Sequence, residues 1–313
     1  MSVTRVNGSA ILLEQPDSGV LVARPRRSSQ ASFAHPAEQE FANLLSFYGI
    51  DWRYEPTTFP LELDTTGAIT TAFTPDFHLP QHDRYLELTT MRQPLVTRKN
   101  RKLRLLRAHY PDVDVRVLYR RDVARIGRLF GVSASAGMSL GAELHSATEI
   151  ALGVQQVVDA LDVPDQALLV GVGAETQRFS AEVHSALRAR GRSVDLHRLD
   201  ATAYEHGGQG SVAFALSPAV ALEDRDVVML TSRVSTGLRA WAAKAWLERH
   251  QPRSLTLCAL LDHAEARIVD VPVDHAVFAD ADVAIAGFGF GGRAELASLD
   301  SIHVLESTSV TAT

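Results

Sequence analysis

Two carboxylates in the first half of the sequence, Asp76 and Glu87, are spaced so that they could share a metal ion. Asp76 follows the turn-forming Pro75, and Glu87 lies on a strand predicted over residues 85–90. Because side chains alternate between the two faces of a strand, Glu87 shares its face with Thr89. We expect the two carboxylates to meet where neighbouring strands end. Paired carboxylate oxygens are ligands that Mg²⁺ and Mn²⁺ prefer, so the pair predicts a divalent-cation site.

Four residues around this pair resemble the core motif of the PD-(D/E)xK nuclease superfamily: Pro75, Asp76, Glu87 and Leu88. In that motif a Pro-Asp pair is followed, on the next strand, by an acid, one residue and a lysine. Thr89 stands at the lysine position. The resemblance implies that the two acids are catalytic metal ligands and that another lysine replaces the missing one. Two lysines on the following predicted helix could do so: Lys99 and Lys102.

The same resemblance implies a further acidic ligand on the first helix of the core. A helix is predicted over residues 36–48 from the helical spacing of its apolar residues and from Pro36 in its first turn. Its early acids, Glu38 and Glu40, are the candidates for this accessory metal ligand. The alternative is that either acid only stabilises the positive N-terminal end of the helix dipole.

A basic segment follows the carboxylates. Between residues 92 and 128 there are twelve Lys or Arg and three Asp, a local balance of +9 in a chain of net charge −6. Such a segment suits a phosphodiester substrate, because neutralising phosphates supplies most non-specific affinity for nucleic acids. DNA is therefore the expected partner, with Arg98, Arg101 and Arg104 as contacts. The alternative is a solvated helix face.

The predicted elements between residues 30 and 130 would position these side chains. The helix over 36–48 is followed by strands over 50–54, 58–63, 72–77 and 85–90, a helix over 95–109 and a strand over 113–119. This order fits the α/β core of the restriction-endonuclease-like fold that the resemblance implies.

The second half alternates buried strands and helices in the manner of a parallel sheet. Gly171 and Gly173 follow one such strand and suggest a dinucleotide-binding unit, but Thr176 stands at the third glycine position of that fingerprint. The segment 287–292 also fits the glycine pattern. Too little chain follows it, however, to supply a second strand and its acid.

Residues 145–306 resemble hypoxanthine-guanine-type phosphoribosyltransferases in their order of strands and in two Gly-rich segments, 204–211 and 286–292. The resemblance implies a turn whose N–H groups hold the 5′-phosphate of a ligand. Five residues make up this turn: Ser235, Thr236, Gly237, Leu238 and Arg239.

The family's charged catalytic positions carry other residues in this chain. Thr231 and Ser232 replace the acid pair that holds the ribose, Ser235 replaces the Asp thought to act as base, Ala174-Glu175 replaces the Lys-Gly of the pyrophosphate loop, His263 replaces the Lys that reads the purine oxo group, and Gly291 replaces a late Asp. We therefore expect a domain that binds a phosphorylated nucleotide, or mediates dimerisation, without transferase turnover.

Composition indicates the class of protein. The chain has 313 residues, 46% of them hydrophobic, which suffices for two domains with sizeable cores. The single cysteine, Cys258, excludes a disulfide framework and a cysteine-based zinc site. No apolar run approaches the ~20 residues of a membrane span, and the N-terminus lacks the pattern of a secretory signal. We expect a cytoplasmic protein without membrane contact.

The predicted architecture is α/β with two domains. An N-terminal arm (1–29) precedes a restriction-endonuclease-like core (30–130), a Gly- and Ser-rich linker (131–144) and a phosphoribosyltransferase-like parallel-sheet domain (145–313). The leading hypothesis is a Mg²⁺- or Mn²⁺-dependent nuclease that acts on DNA and forms a homodimer. The alternatives are a non-catalytic DNA-binding regulator and a purine phosphoribosyltransferase with an atypical site.

Overall fold

The computed structural model describes residues 3–6, 9–12, 21–22, 32–89, 93–119, 122, 126, 138–205, 207–208, 210–280, 282–291 and 293–307, with side chains from residue 32 onward except those of 93–98 and 307. The chain divides into two compact units. Unit 1 comprises residues 1–130 with 205–211, and unit 2 comprises residues 131–204 with 212–313.

Unit 1 consists of short strands and two longer helices among its described residues. Its elements are β1 (Val3–Val6), β2 (Ser9–Leu12), β3 (Leu21–Val22), α1 (Pro36–Phe47), β4 (Arg53–Tyr54), β5 (Thr57–Leu63), β6 (Ile69–Phe73), β7 (Phe77–Leu79), β8 (Arg84–Thr89), α2 (Gln93–His109) and β9 (Asp114–Tyr119). One sheet has the order β4-β7-β8-β9, in which β7 and β8 are antiparallel and β8 and β9 are parallel. A second has the order β3-β5-β6, and β1 pairs with β2.

Helix α1 begins where its sequence predicts. Pro36 occupies the first turn, where a missing N–H costs little, and the His35 side chain caps the helix by accepting from the N–H of Ala37 at 3.0 Å. Phe41 and Leu45 are buried, as their spacing along one helix face requires. The helix thereby closes one side of the core of unit 1.

The strand predicted over residues 72–77 is divided into β6 and β7. Pro75 has no N–H to donate to a sheet, so regular pairing stops at Phe73 and resumes at Phe77. Asp76 lies in this break. Because Phe77 pairs with Leu86 of β8, the break holds Asp76 beside the middle of β8.

Strand β8 is buried on both faces. Leu86 and Leu88 are buried on one face, and Glu87 and Thr89, which alternate with them, are buried on the other. A buried polar group costs free energy unless it has a hydrogen-bond partner. The partners of Glu87 and Thr89 therefore determine what this face can bind.

Unit 2 contains a larger parallel sheet. The elements of unit 2 are β10 (Met138–His145), α3 (Ala147–Ala160), β11 (Leu168–Val172), α4 (Gln177–Ala189), β12 (Asp195–Ala201), β13 (Phe214–Ser217), β14 (Asp226–Val234), α5 (Leu238–Glu248), β15 (Ser254–Asp262), β16 (His275–Ala279), β17 (Ile285–Ala286), α6 (Ala294–Ala297) and β18 (Ile302–Ser307). The sheet order is β13-β12-β11-β14-β15-β16, and all neighbours are parallel except β12 with β13. Strand β11 is buried throughout, as a parallel strand covered on both faces should be.

A smaller sheet of unit 2 involves part of the predicted linker. Residues 138–145 form β10, which pairs antiparallel with β18 in a sheet of order β10-β18-β17. The Gly and Ser content of this stretch does not prevent a strand, because β18 supplies its hydrogen-bond partners. The α/β architecture with mixed sheets is confirmed, whereas the nuclease-like arrangement of unit 1 is not. No helix in the described ranges is long and apolar enough to cross a bilayer.

Candidate functional site

Asp76 and Glu87 lie side by side in unit 1. The N–H of Asp76 donates to Glu87 Oε2 at 3.2 Å, and the N–H of Leu88 donates to Asp76 Oδ2 at 2.6 Å. Burial, and after it the charge of Glu87, raises the pKa of Asp76 to about 8. Burial also raises the pKa of Glu87, against the opposing effect of Lys99. The pair therefore retains a proton at neutral pH.

Lys99 is the predicted lysine that reaches this pair. It forms an ion pair with Glu87, and its Nζ donates to the carbonyl oxygen of Leu88 at 3.1 Å. Lys102 makes no hydrogen bond or ion pair within the part of the chain that the structure describes. Of the two lysines that the sequence left open, the structure brings only Lys99 to the carboxylates.

The two acids of α1 have other partners. Glu38 completes the capping box of α1, and its Oε2 also accepts from the hydroxyl of Tyr54 at 2.7 Å. Burial, together with this hydrogen bond, raises the pKa of Tyr54. Glu40 accepts from the N–H of Gly207, which also belongs to unit 1. The structure gives Glu38 no hydrogen bond to Asp76 or Glu87 among the described residues, although its charge contributes to raising the pKa of both.

In this arrangement the carboxylate pair has protein partners in place of metal-ion contacts. A hard cation needs several oxygen ligands at once. The oxygens of Asp76 and Glu87 instead accept from Lys99 and from backbone N–H groups. Among the described residues, no group of three or more His, Cys, Asp or Glu could hold a metal ion. The metal assignments of the four acids Asp76, Glu87, Glu38 and Glu40 stay predictions.

Thr89, at the lysine position of the motif, is 3% exposed. Its Oγ1 is buried and has no hydrogen-bond partner among the described residues. Its hydroxyl therefore does not substitute for a lysine in binding Glu87, which is paired with Lys99 instead.

The predicted nucleic-acid contacts lie on α2. Arg101 donates to both carboxylate oxygens of Glu62, at 2.5 and 3.3 Å. Arg104 is exposed. The side chain of Arg98 lies outside the described residues. Part of the positive charge that suggested a nucleic-acid surface is thus neutralised within unit 1.

In unit 2 the predicted phosphate-binding turn joins the carboxyl end of β14 to α5. Gly237 has a φ of +84°, and a Cβ there would lie 2.3 Å from the carbonyl oxygen of Val269, so only glycine fits. Helix α5 begins at Leu238 and has no side-chain N-cap. The first N–H groups of a helix have no partner within the helix, and an uncapped end is suited to bind an anion.

The other members of the turn differ in exposure. Ser235, Thr236 and Leu238 are buried. Arg239 forms an ion pair with Glu175, which follows β11, and the two side chains are 34% and 38% exposed. Water therefore competes for both side chains, and another polar group can replace either partner of the ion pair.

Hydroxyl groups occupy the positions at which the resemblance implies an acid pair. Ser232 is buried, and its N–H donates to Thr176 Oγ1 at 3.0 Å, while Thr176 Oγ1 donates to the carbonyl of Val172 at 2.6 Å. Thr231 Oγ1 is 3.4 Å from the carbonyl oxygen of Arg233. The hydroxyl of Thr176 thus connects β14 to the end of β11, and the side chains of Thr231 and Ser232 carry no negative charge.

The ends of β14, β15 and β16 bring a further set of side chains together. The hydroxyl of Ser235 donates to the carboxylate of Asp282, and His263 Nδ1 is 2.7 Å from the carbonyl oxygen of Asp280. Sequence reasoning missed Asp280 and Asp282. Their position directly after β16, at the carboxyl edge of a parallel sheet where ligands usually bind, is the signal that could have indicated them.

Comparison with known proteins bears on unit 2. No family model matches the chain. The chain is similar to the hypoxanthine-guanine phosphoribosyltransferases of Streptococcus mutans serotype c (25% identity) and Streptococcus agalactiae serotype V (27%), in each case over 142 residues that are 44% of this chain and 77% of the relative. Among solved structures it is similar to the hypoxanthine phosphoribosyl transferase of Trypanosoma cruzi, with 21% identity, a TM-score of 0.50 and coverage of 53% of this chain and 92% of that one. The last likeness shows the fold.

About half of the chain is therefore homologous to hypoxanthine-guanine phosphoribosyltransferases. The prediction that the protein is a metal-dependent nuclease is wrong, because these relatives support the phosphoribosyltransferase alternative. DNA and Mn²⁺ likewise gain no support. The core motif behind the nuclease hypothesis consisted of two dipeptides, and the acids of those dipeptides accept hydrogen bonds from Lys99 and backbone N–H groups.

Proposed function

We propose that unit 2 is a phosphoribosyltransferase-type domain that binds the phosphorylated ribose of a nucleotide at the turn Ser235–Arg239. The observation that carries this proposal is the start of α5, which has no capping side chain and directly follows a glycine that no other residue could replace. The N-terminal end of a helix has a partial positive charge, and its N–H groups bind phosphate. The homology over about half of the chain supports the same assignment.

The surroundings of the turn favour a phosphate over a neutral group. Arg239 lies one residue inside α5, and its guanidinium forms a partly exposed ion pair with Glu175. A bound phosphate would compete with Glu175 for this guanidinium, and arginine binds phosphate through two parallel hydrogen bonds. The hydroxyl of Thr236 adds a possible donor at the same place.

A second candidate function is transfer of the phosphoribosyl group to a purine base, the activity for which the similar proteins are named. Mg²⁺ would enter with the pyrophosphate of the donor. Thr231 and Ser232 stand where the resemblance implies the acid pair that holds the ribose. Hydroxyls can still hydrogen-bond a ribose, but they hold Mg²⁺-pyrophosphate less strongly than carboxylates do. Our proposal is therefore nucleotide binding with slow or no transfer, in a protein that we expect to be a homodimer.

Calorimetry with matched ligands tests the proposal. Purine nucleoside 5′-monophosphates should bind at least about tenfold more tightly than the corresponding nucleosides, because only the former reach the turn. Arg239→Gln should remove most of this difference. Lys244→Gln, which removes one positive charge further along the same helix, is the matched control and should leave it unchanged. Equal affinity for nucleoside and monophosphate would refute the proposed site.

Turnover is measured separately, as release of pyrophosphate from phosphoribosyl pyrophosphate with Mg²⁺ and purine bases. Tight monophosphate binding without release matches the proposal. Rapid release would make the second candidate the correct one.

A further inference from the structure

We propose that His263 acts as a hydrogen-bond acceptor for the base of the bound nucleotide, so that the ligand is a 6-aminopurine nucleotide and not a 6-oxopurine nucleotide. This inference rests on the proposed function of unit 2 and specifies its substrate class.

The position of His263 places it within the proposed site. It directly follows β15, the strand between β14 and β16, and its N–H donates to the carbonyl of Val234 at 3.0 Å. Val234 immediately precedes the turn that we assign to the phosphate. A base attached to a ribose phosphate held at Ser235–Arg239 would therefore lie near the ends of these three strands, as ligands do at the carboxyl edge of open parallel sheets.

The hydrogen bonds of the ring fix its tautomer. His263 Nδ1 is 2.7 Å from the carbonyl oxygen of Asp280, which can only accept, so Nδ1 carries the hydrogen. Burial lowers the pKa of His263, while Asp280 and Asp282 oppose this effect and Arg233 adds to it. In the neutral ring Nε2 has a lone pair and no hydrogen. It can accept a hydrogen bond and cannot donate one.

This acceptor has no partner. His263 is 2% exposed, and Nε2 is buried without a hydrogen bond to any of the described residues. Buried polar atoms in folded proteins are nearly always paired, so an unpaired one calls for a donor from outside the chain. Because the atom is covered, the donor must belong to a group that can enter between the strand ends, as a flat base can.

A second acceptor lies in the same cluster. The carboxylate of Asp282 binds the hydroxyl of Ser235 and lies close enough to influence the imidazole of His263. A ligand group that faces His263 Nε2 meets a lone pair there and the negative charge of Asp282 nearby. An exocyclic amino group at position 6 of the purine can donate its hydrogens to these acceptors. An oxo group at the same position would bring its own lone pairs against the lone pair of His263 Nε2.

Three nucleotides that differ at position 6 of the purine, of which inosine 5′-monophosphate also carries a hydrogen on N1, test the inference on the wild-type chain. We expect adenosine 5′-monophosphate to bind about tenfold more tightly than purine riboside 5′-monophosphate, which lacks the amino group, and more tightly still than inosine 5′-monophosphate. Equal or reversed affinities would overturn the role of His263 and leave the phosphate site intact. If no monophosphate binds more tightly than its nucleoside, the proposed function fails and this inference fails with it.

Two variants separate recognition by Nε2 from a structural role of the ring. His263→Asn can still donate to Asp280 from the Nδ1 position but has no acceptor at Nε2, so it should lose the tenfold preference for the amino group. His263→Gln places an amide near Nε2 and should restore part of it. If both variants keep the wild-type preference while their thermal stability changes, His263 is only structural and the inference is overturned.

Discussion

Lys99 forms an ion pair with Glu87 inside unit 1, where the two side chains are 17% and 6% exposed. The ammonium is the cation that compensates a carboxylate pair which burial would otherwise make costly. This relationship assigns Lys99 a structural role that does not require catalysis.

Replacing Lys99 by Met should therefore destabilise the protein strongly. Removal of one member of a buried ion pair leaves an uncompensated charge, which typically costs about 3–5 kcal/mol. Urea unfolding monitored by circular dichroism would measure the loss. Lys102→Met is the matched control on the same helix and should change the free energy of unfolding by less than about 0.5 kcal/mol. Similar losses for both variants would contradict the assigned role.

The Asp76–Glu87 pair should make stability fall as pH rises from about 4 to 8. The folded state keeps a proton because the pKa of Asp76 is raised to about 8, whereas the unfolded chain loses it near pH 4. Since the folded state binds more protons in this window, the slope is negative and reaches at most about 1.4 kcal/mol per pH unit.

Asp76→Asn should flatten this dependence, because the amide stays neutral and can still accept from the N–H of Leu88. The measurement is the urea midpoint at several pH values between 5 and 8. Asp112→Asn, at an exposed position, is the control and should retain the wild-type slope. An unchanged slope in Asp76→Asn would show that the proton resides elsewhere.

Gly237→Ala should both destabilise unit 2 and abolish monophosphate binding. The new Cβ would meet the carbonyl oxygen of Val269 at 2.3 Å, in addition to the strain of a left-handed residue. We expect a loss of more than about 2 kcal/mol in thermal or urea unfolding. Gly191 has a similar φ of +79°, but a Cβ there would meet nothing within 4 Å. Gly191→Ala therefore measures the cost of the left-handed backbone alone, which should be about 1 kcal/mol, and it should not change the affinity for monophosphates.

Glu175→Gln should increase the affinity for nucleoside 5′-monophosphates by a few fold. The substitution frees Arg239 from its ion pair and removes a negative charge near the incoming phosphate. Calorimetry at low and high salt would detect the change, which salt should reduce. Glu182→Gln, exposed on α4, is the control. Weaker binding by Glu175→Gln would indicate that the ion pair positions Arg239 for the ligand.

The sequence predicted those parts of the sites that depend on local structure. Asp76 and Glu87 could be placed together because a Pro-Asp turn and a following strand fix their spacing. The turn at Ser235–Arg239 was predicted from the resemblance, on the match of Thr236 and Gly237, and the structure shows it between a strand and a helix, while its role in phosphate binding stays a prediction. The choice between Lys99 and Lys102 could not be made, since it depends on how α2 packs against β8.

Other features could not be predicted from the sequence because they join segments that are far apart in the chain. Ser235 and Asp282 are 47 residues apart, and they meet only because β14, β15 and β16 are neighbours in the sheet. The strand at 138–145 could not be recognised from its small residues, because its partner β18 lies at residues 302–307. The nuclease hypothesis failed for the opposite reason: a short local motif was taken to define a function.

The pairing of β10 with β18 has a consequence for biosynthesis. These are the first and last strands that the structure describes in unit 2, and Leu140 lies opposite Leu305. Because the ribosome makes the chain from its N-terminus, β10 cannot pair with β18 until nearly all of unit 2 has been synthesised. The same pairing brings the two ends of unit 2 together, so a circularly permuted chain, joined there and opened at the uncrowded turn of Gly191, should reach the same fold.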